Sequence, residues 1–131
     1  MTIVVDTSAM VAILFGEPER DRFRHLLETN PAVISAGNLI ELLRVVMRRA
    51  PHLVHEARDV VASLGVATAT VDEAQVTLAE EGQARFGLGR RVPPAVLNFG
   101  DLFAYALARQ LDAPLLFKGN DFTQTDLRPA L

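Results

Sequence analysis

A three-layer α/β/α sandwich built on a parallel sheet of about four to five strands is the fold class this sequence predicts. Three observations lead there. Short β-branched or apolar runs of strand length recur at Ile3–Val5, Ala32–Ser35, 66–71 and 114–117. Longer stretches of helical character lie between them, and strands separated by helices pair in parallel with helices on both faces. No repeat, low-complexity tract or linker interrupts the 131 residues, a length that fits one domain spanning 1–131.

The first strand, Ile3–Val5, ends in Asp6-Thr7-Ser8, residues that cap helices. A buried helix over 9–15 follows, closed by Gly16. Glu17-Pro18-Glu19 opens an amphipathic helix with Phe23, Leu26 and Leu27 on one face. After the second strand, helices are expected over 38–49 and 52–64, the latter stopped by Gly65. The third strand, 66–71, leads to Asp72, which caps a helix running to about Phe86. A loop rich in Gly, Arg and Pro covers 87–94. Asn98 starts a strongly apolar helix to Leu111, and the last strand, 114–117, ends in Lys118-Gly119-Asn120-Asp121.

Composition excludes several classes. Half the residues are apolar and 22% are charged, which rules out a disordered tail. The absence of cysteine rules out a disulfide scaffold, a thiolate zinc site and thiol catalysis. The longest apolar run, 9–15, is far short of the roughly 20 residues that span a bilayer, and no basic segment precedes it. The expectation is a soluble cytoplasmic protein with no membrane partner. A net charge of −3 gives no positive field that would mark a nucleic-acid binder.

In open α/β sheets, ligands sit outside the carboxyl ends of the strands. Asp6 follows the first strand and Asp121 the fourth. Each has an ordinary structural explanation as a helix cap or a turn residue. Asp101 stands in the first turn of an apolar helix, in a variant capping box with Asn98, and a carboxylate at the mouth of a buried helix needs a partner. Glu41 shares a helical stripe with Arg44 and Arg48, which alone reads as a solvated face. Jointly the four acids point to chemistry. Clustered carboxylates raise one another's pKa unless a cation neutralises them, and an all-oxygen set suits Mg²⁺ or Mn²⁺.

Val4-Val5-Asp6-Thr7-Ser8-Ala9, Asn38-Leu39-Ile40-Glu41, Asn98-Phe99-Gly100-Asp101 and Leu116-Phe117-Lys118-Gly119-Asn120-Asp121-Phe122 together resemble the PIN domain, and within it the VapC toxins of bacterial toxin–antitoxin pairs. The likeness covers essentially the whole chain. It implies a PIN-like fold and a metal-dependent endoribonuclease that works as a homodimer, or as a heterotetramer or larger with a VapB-like antitoxin that inhibits it. Matched by motif, Asp6, Glu41 and Asp101 are the acids that hold the metal, with Asp121 as a weaker fourth. Gly119 stands where many PIN domains have another Asp, which leaves Asp121 a secondary or water-orienting role. Thr7 or Ser8, and Asn98, are the matching donors that orient carboxylates or water.

RNA needs cations to hold it. Arg85, Arg90 and Arg91 in and before the Gly-Arg-Arg loop are the candidates, with Arg44 and Arg48 beside Glu41. Twelve of the 13 basic residues are Arg, which an Arg-rich proteome explains equally well. Setting the four site acids aside leaves the rest of the chain slightly basic, so the net charge does not exclude RNA. Two rival readings remain at this stage. One is a phospho-aspartate receiver using Asp6, Asp72 and Lys118; the other is a binding module of the same fold without catalysis.

Overall fold

The computed structural model describes residues 1–90 and 93–131. Four short strands, β1 (Ile3–Val5), β2 (Ala32–Ser35), β3 (Val66–Ala69) and β4 (Leu115–Leu116), form one parallel sheet in the order β3-β2-β1-β4. Six α-helices among the described residues connect them: α1 (Thr7–Leu14), α2 (Arg20–Thr29), α3 (Ala36–Arg49), α4 (Val54–Ser63), α5 (Glu73–Phe86) and α6 (Phe99–Leu111). All three β1 residues are fully buried, as a strand covered on both faces requires.

Alternation along the strands divides the core in two. Ile3, Val5 and Ile34 join Met10, Ile13, Phe23, Leu42 and Val61 under α1 to α4. Val4 and Leu115 join Phe86, Leu97, Tyr105, Leu107 and Phe122 under α5 and α6. Helix α5 crosses α6 closely at Gly82, where a Cβ would lie 2.6 Å from Cδ1 of the buried Tyr105. The outer edge of β4 is covered. The Leu115 N–H donates to the Arg128 carbonyl and Ala130 N–H returns a bond to Leu115, so a segment after the sheet blunts an edge that would otherwise template pairing.

Element boundaries depart from expectation where a side-chain cap acts. Helix α1 begins at Thr7, not at 9, because Asp6 itself accepts from Ser8 N–H. Helix α3 begins at Ala36 rather than 38, because the Ser35 hydroxyl accepts from Gly37 N–H. Glu17-Pro18-Glu19 forms a turn, and α2 starts only at Arg20. The stretch expected as one helix from 52 opens with a 3₁₀ turn, Pro51–Leu53, before α4. The third and fourth strands are shorter than 66–71 and 114–117 because pairing ends at Ala69 and Leu116. No helix among the described residues is long and apolar enough to cross a membrane.

Candidate metal centre

Strand order decides what meets at the site. β1 lies between β2 and β4, so the carboxyl end of β1 faces the start of α3 on one side and the turn after β4 on the other. A cleft of about 230 Å³ opens there, lined by Asp6, Ser8, Glu41, Asn98, Asp101 and Asp121 among others. All four acids singled out in the sequence therefore border one cavity, although they come from four separate elements.

Asp6 is 4% exposed. Its Oδ2 accepts from the Ser8 amide at 3.0 Å and the Ser8 hydroxyl at 2.6 Å, while its buried Oδ1 has no partner among the described residues. It is thus both a helix cap and a carboxylate with one oxygen to spare. Burial pushes it up to about 6 against the Ser8 hydrogen bonds, and the charge of Glu41 adds to the rise. The Ser8 hydroxyl, in turn, accepts from Lys118 N–H at 3.0 Å, which fixes the direction in which it donates. The Thr7 hydroxyl goes elsewhere: it donates to the Asn38 carbonyl at 3.1 Å, tying α1 to α3.

Asp101 is 7% exposed at the third position of α6. The capping box is complete. Asn98 Oδ1 accepts from Asp101 N–H at 2.9 Å, and Asp101 Oδ2 accepts from Asn98 N–H at 3.0 Å. Burial drives Asp101 up to about 8 despite that bond, and the neighbouring charges of Asp6 and Asp121 push the same way. The Asp121 carboxyl beside it adds to the rise. Asp121 itself is exposed in the turn after β4.

Glu41 is half-buried on α3, its Oε1 accepting from Asn38 Nδ2 at 3.3 Å. Asn38 and Gly100, which touch Glu41, escaped the sequence reading as site residues. The Asn38–Glu41 spacing of i, i+3 is the signal that places an amide beside a carboxylate on a helix. The Lys118 ammonium, near the same cleft, is engaged by Glu17 Oε1 at 3.0 Å and Glu19 Oε2 at 3.1 Å. A larger cleft of about 600 Å³ adjoins it and shares Lys118 and Phe122, but it contains none of the four acids.

The arginines separate into groups. Arg85 pairs with Asp126 at 3.0 Å and lies over the Phe86 ring, so its guanidinium anchors a loop. Arg90 donates to the Pro93 carbonyl. Arg91 lies outside the described residues. Arg44 and Arg48 are exposed on α3 and, among the described residues, form no ion pair. The receiver reading fails on Asp72, whose carboxylate accepts from Gln75 N–H and the Gln110 amide and does not line the acid cleft.

A PIN-domain family model matches residues 3–127. Ribonuclease VapC42 of Mycobacterium tuberculosis is 39% identical over 130 residues, covering 98% of each chain. Ribonuclease VapC of Mycolicibacterium smegmatis is 36% identical over 95% of this chain and 97% of its own. Among solved structures, VapBC2 from Rickettsia felis, bound to a DNA fragment from its promoter, overlays with a TM-score of 0.78 at 16% identity, covering 98% of this chain and 97% of that one. M. tuberculosis VapC20, described as a sarcin-ricin loop cleaving toxin, overlays with a TM-score of 0.71 at 22% identity, covering 97% and 99%. The chain belongs to the PIN-domain family, in its VapC branch.

Proposed function

We propose that the chain is a Mg²⁺- or Mn²⁺-dependent endoribonuclease, the toxin of a toxin–antitoxin pair, acting on RNA in the cytoplasm. The observation that carries this reading is the gathering of four carboxylates from four elements around one cleft, with a buried oxygen of Asp6 left without a partner among the described residues. Among the described residues, no three acidic or histidine side chains already enclose a point where an ion would sit. The donor set nevertheless fits a hard divalent cation. It is all oxygen, it has an orphaned acceptor, and its like charges raise one another's pKa in the way a cation would relieve.

Asp6 and Asp101 would hold the metal, with Glu41 as the third acid. When bound, the metal supplies an acidified water and a polarised phosphodiester. The remaining work belongs to the protein. Ser8 and the Asn98 amide hold Asp6 and Asp101 by one oxygen each, leaving the other oxygen of each free of those two donors. Glu41 Oε2 takes no protein hydrogen bond among the described residues, which suits it to orient the attacking water. Asp121, exposed and lining the same cleft, is the secondary acid that helps to orient that water. Arg44 and Arg48 supply phosphate contacts on the Glu41 side.

The VapC relatives and the VapBC2 complex support an antitoxin of VapB type as partner. The exposed apolar side chains Ile40, Val76 and Phe99 offer surface for that partner or for a second copy of the chain. The test is cleavage of RNA by the purified chain with Mg²⁺ and with EDTA. Asp101→Asn folds and does not cleave; Mg²⁺-dependent cleavage by that variant refutes the assignment. Sequencing RNA ends after brief expression of each form identifies the substrate.

A further inference from the structure

Glu41 reaches the acid cleft from the middle of a helix on a flexible side chain, so something beyond its own backbone must fix the carboxylate. Asn38 and Gly100 lie against it. Asn38, one turn earlier on α3 and fully buried, donates Nδ2 both to Glu41 Oε1 at 3.3 Å and to the Gly100 carbonyl at 2.9 Å. Gly100 is the second residue of α6, next to Asp101. A Cβ at Gly100 would lie 2.7 Å from Glu41 Cδ and 2.9 Å from Oε1, and closer still to Oε2. The carboxylate occupies the volume a side chain would fill.

This glycine is not demanded by backbone conformation, since Gly100 is absent from the residues of positive φ. Nor is it demanded by helix packing of the kind seen at Gly37 and Gly82, where the obstacle to a Cβ is a packed aromatic ring. Of the eight glycines, Gly100 alone is filled by a carboxylate. The same amide that holds Glu41 also grips the Gly100 carbonyl, so the seat and the helix that carries Asp101 are registered to each other.

We propose that Asn38 and Gly100 are positioning residues for Glu41: the amide holds one carboxylate oxygen, and the missing Cβ gives the carboxylate its seat against the first turn of α6, beside Asp101. The inference rests on Glu41 being a site acid, as argued above. Because the atoms in the way are the end of a flexible side chain, Gly100→Ala folds and displaces the carboxylate. Glycine in a helix is less favourable than alanine, so the added methyl does not weaken α6.

Gly100→Ala, Glu41→Ala and the double variant, each as the full chain, are compared in RNA cleavage, in Mn²⁺ binding by calorimetry without RNA, and in thermal melting. Gly100→Ala is expected to melt at or above the wild-type temperature and to lose roughly 10- to 100-fold in cleavage and in Mn²⁺ affinity. In the Glu41→Ala background it changes neither. In a Glu41→Asp background the shorter acid clears the methyl, and Gly100→Ala costs little. Asn38→Asp, which puts a carboxylate where the donor stood, lowers cleavage in the wild type and not in Glu41→Ala. Equal losses with and without Glu41, or an unimpaired Gly100→Ala beside an impaired Glu41→Ala, overturn the inference. If Glu41→Ala itself cleaves and binds Mn²⁺ like wild type, the assignment of Glu41 falls first and the seat falls with it.

Discussion

Replacing Asp101 with Asn should stabilise the metal-free protein, and by an amount that grows with pH. Asp101 is held near 8 in the folded chain, whereas an ordinary Asp titrates at 3.8. The folded state therefore keeps its proton more tightly than the unfolded chain does. A group raised in this way contributes fully below about pH 4, and its contribution drains away as pH climbs towards 8. Taken whole, that climb is worth roughly 5 kcal/mol at 1.36 kcal/mol per pH unit. Part of it is repulsion from Asp6 and Asp121, and Asp121 is exposed and well screened. Asn carries no charge to bury or to repel and so escapes both causes, which solvent in the open cleft screens to about 2 kcal/mol. Asn retains an oxygen for the bond from Asn98 N–H, so the capping box survives the substitution. The assay is thermal melting of both proteins in EDTA from pH 4 to 8. The two should coincide near pH 4, and the variant should melt about 6 to 8 °C higher at pH 8. Saturating Mg²⁺ should then raise the wild type and leave the variant unmoved. A gap that is constant across this range, or that favours the wild type at high pH, refutes the reasoning.

Gly82→Ala should be destabilising by about 1 to 2 kcal/mol in urea denaturation, because the clash with the buried Tyr105 ring outweighs the roughly 1 kcal/mol gained in helix propensity. Asp72→Ala removes the cap of α5 and the partner of Gln110, and should cost about 1 kcal/mol of stability while leaving cleavage per folded molecule unchanged. Replacing Arg44 and Arg48 with Glu should weaken RNA binding and reduce its dependence on log salt by about 1 to 2; an unchanged slope removes these residues from the interface.

What the sequence disclosed and what it concealed differ in range along the chain. Punctuation was readable. Ile3–Val5 running into Asp6 and Asn98 opening an apolar helix are local patterns, and the structure has a strand end and a capping box at those places. Helix starts set by a side chain one or two residues upstream, as at Ser35, were blurred because a hydroxyl has several backbone groups to choose from. Long-range pairings were invisible. Arg85 looks like a phosphate contact until Asp126, 41 residues away, is brought against it. Gly100 looks like an ordinary first-turn residue until Glu41, from a different helix, fills the space beside it. The four acids could be named one by one, but only the strand order explains why they share a cleft.

That shared cleft has a consequence for synthesis. A chain translated only as far as α5 holds Asp6 and Glu41 but neither Asp101 nor Asp121, and it lacks β4, whose following turn carries Asp121. No fragment shorter than the nearly finished domain assembles the acids. On the function proposed above, cleavage of RNA would begin only once the domain can fold as a whole, and the chain still on the ribosome would be inactive.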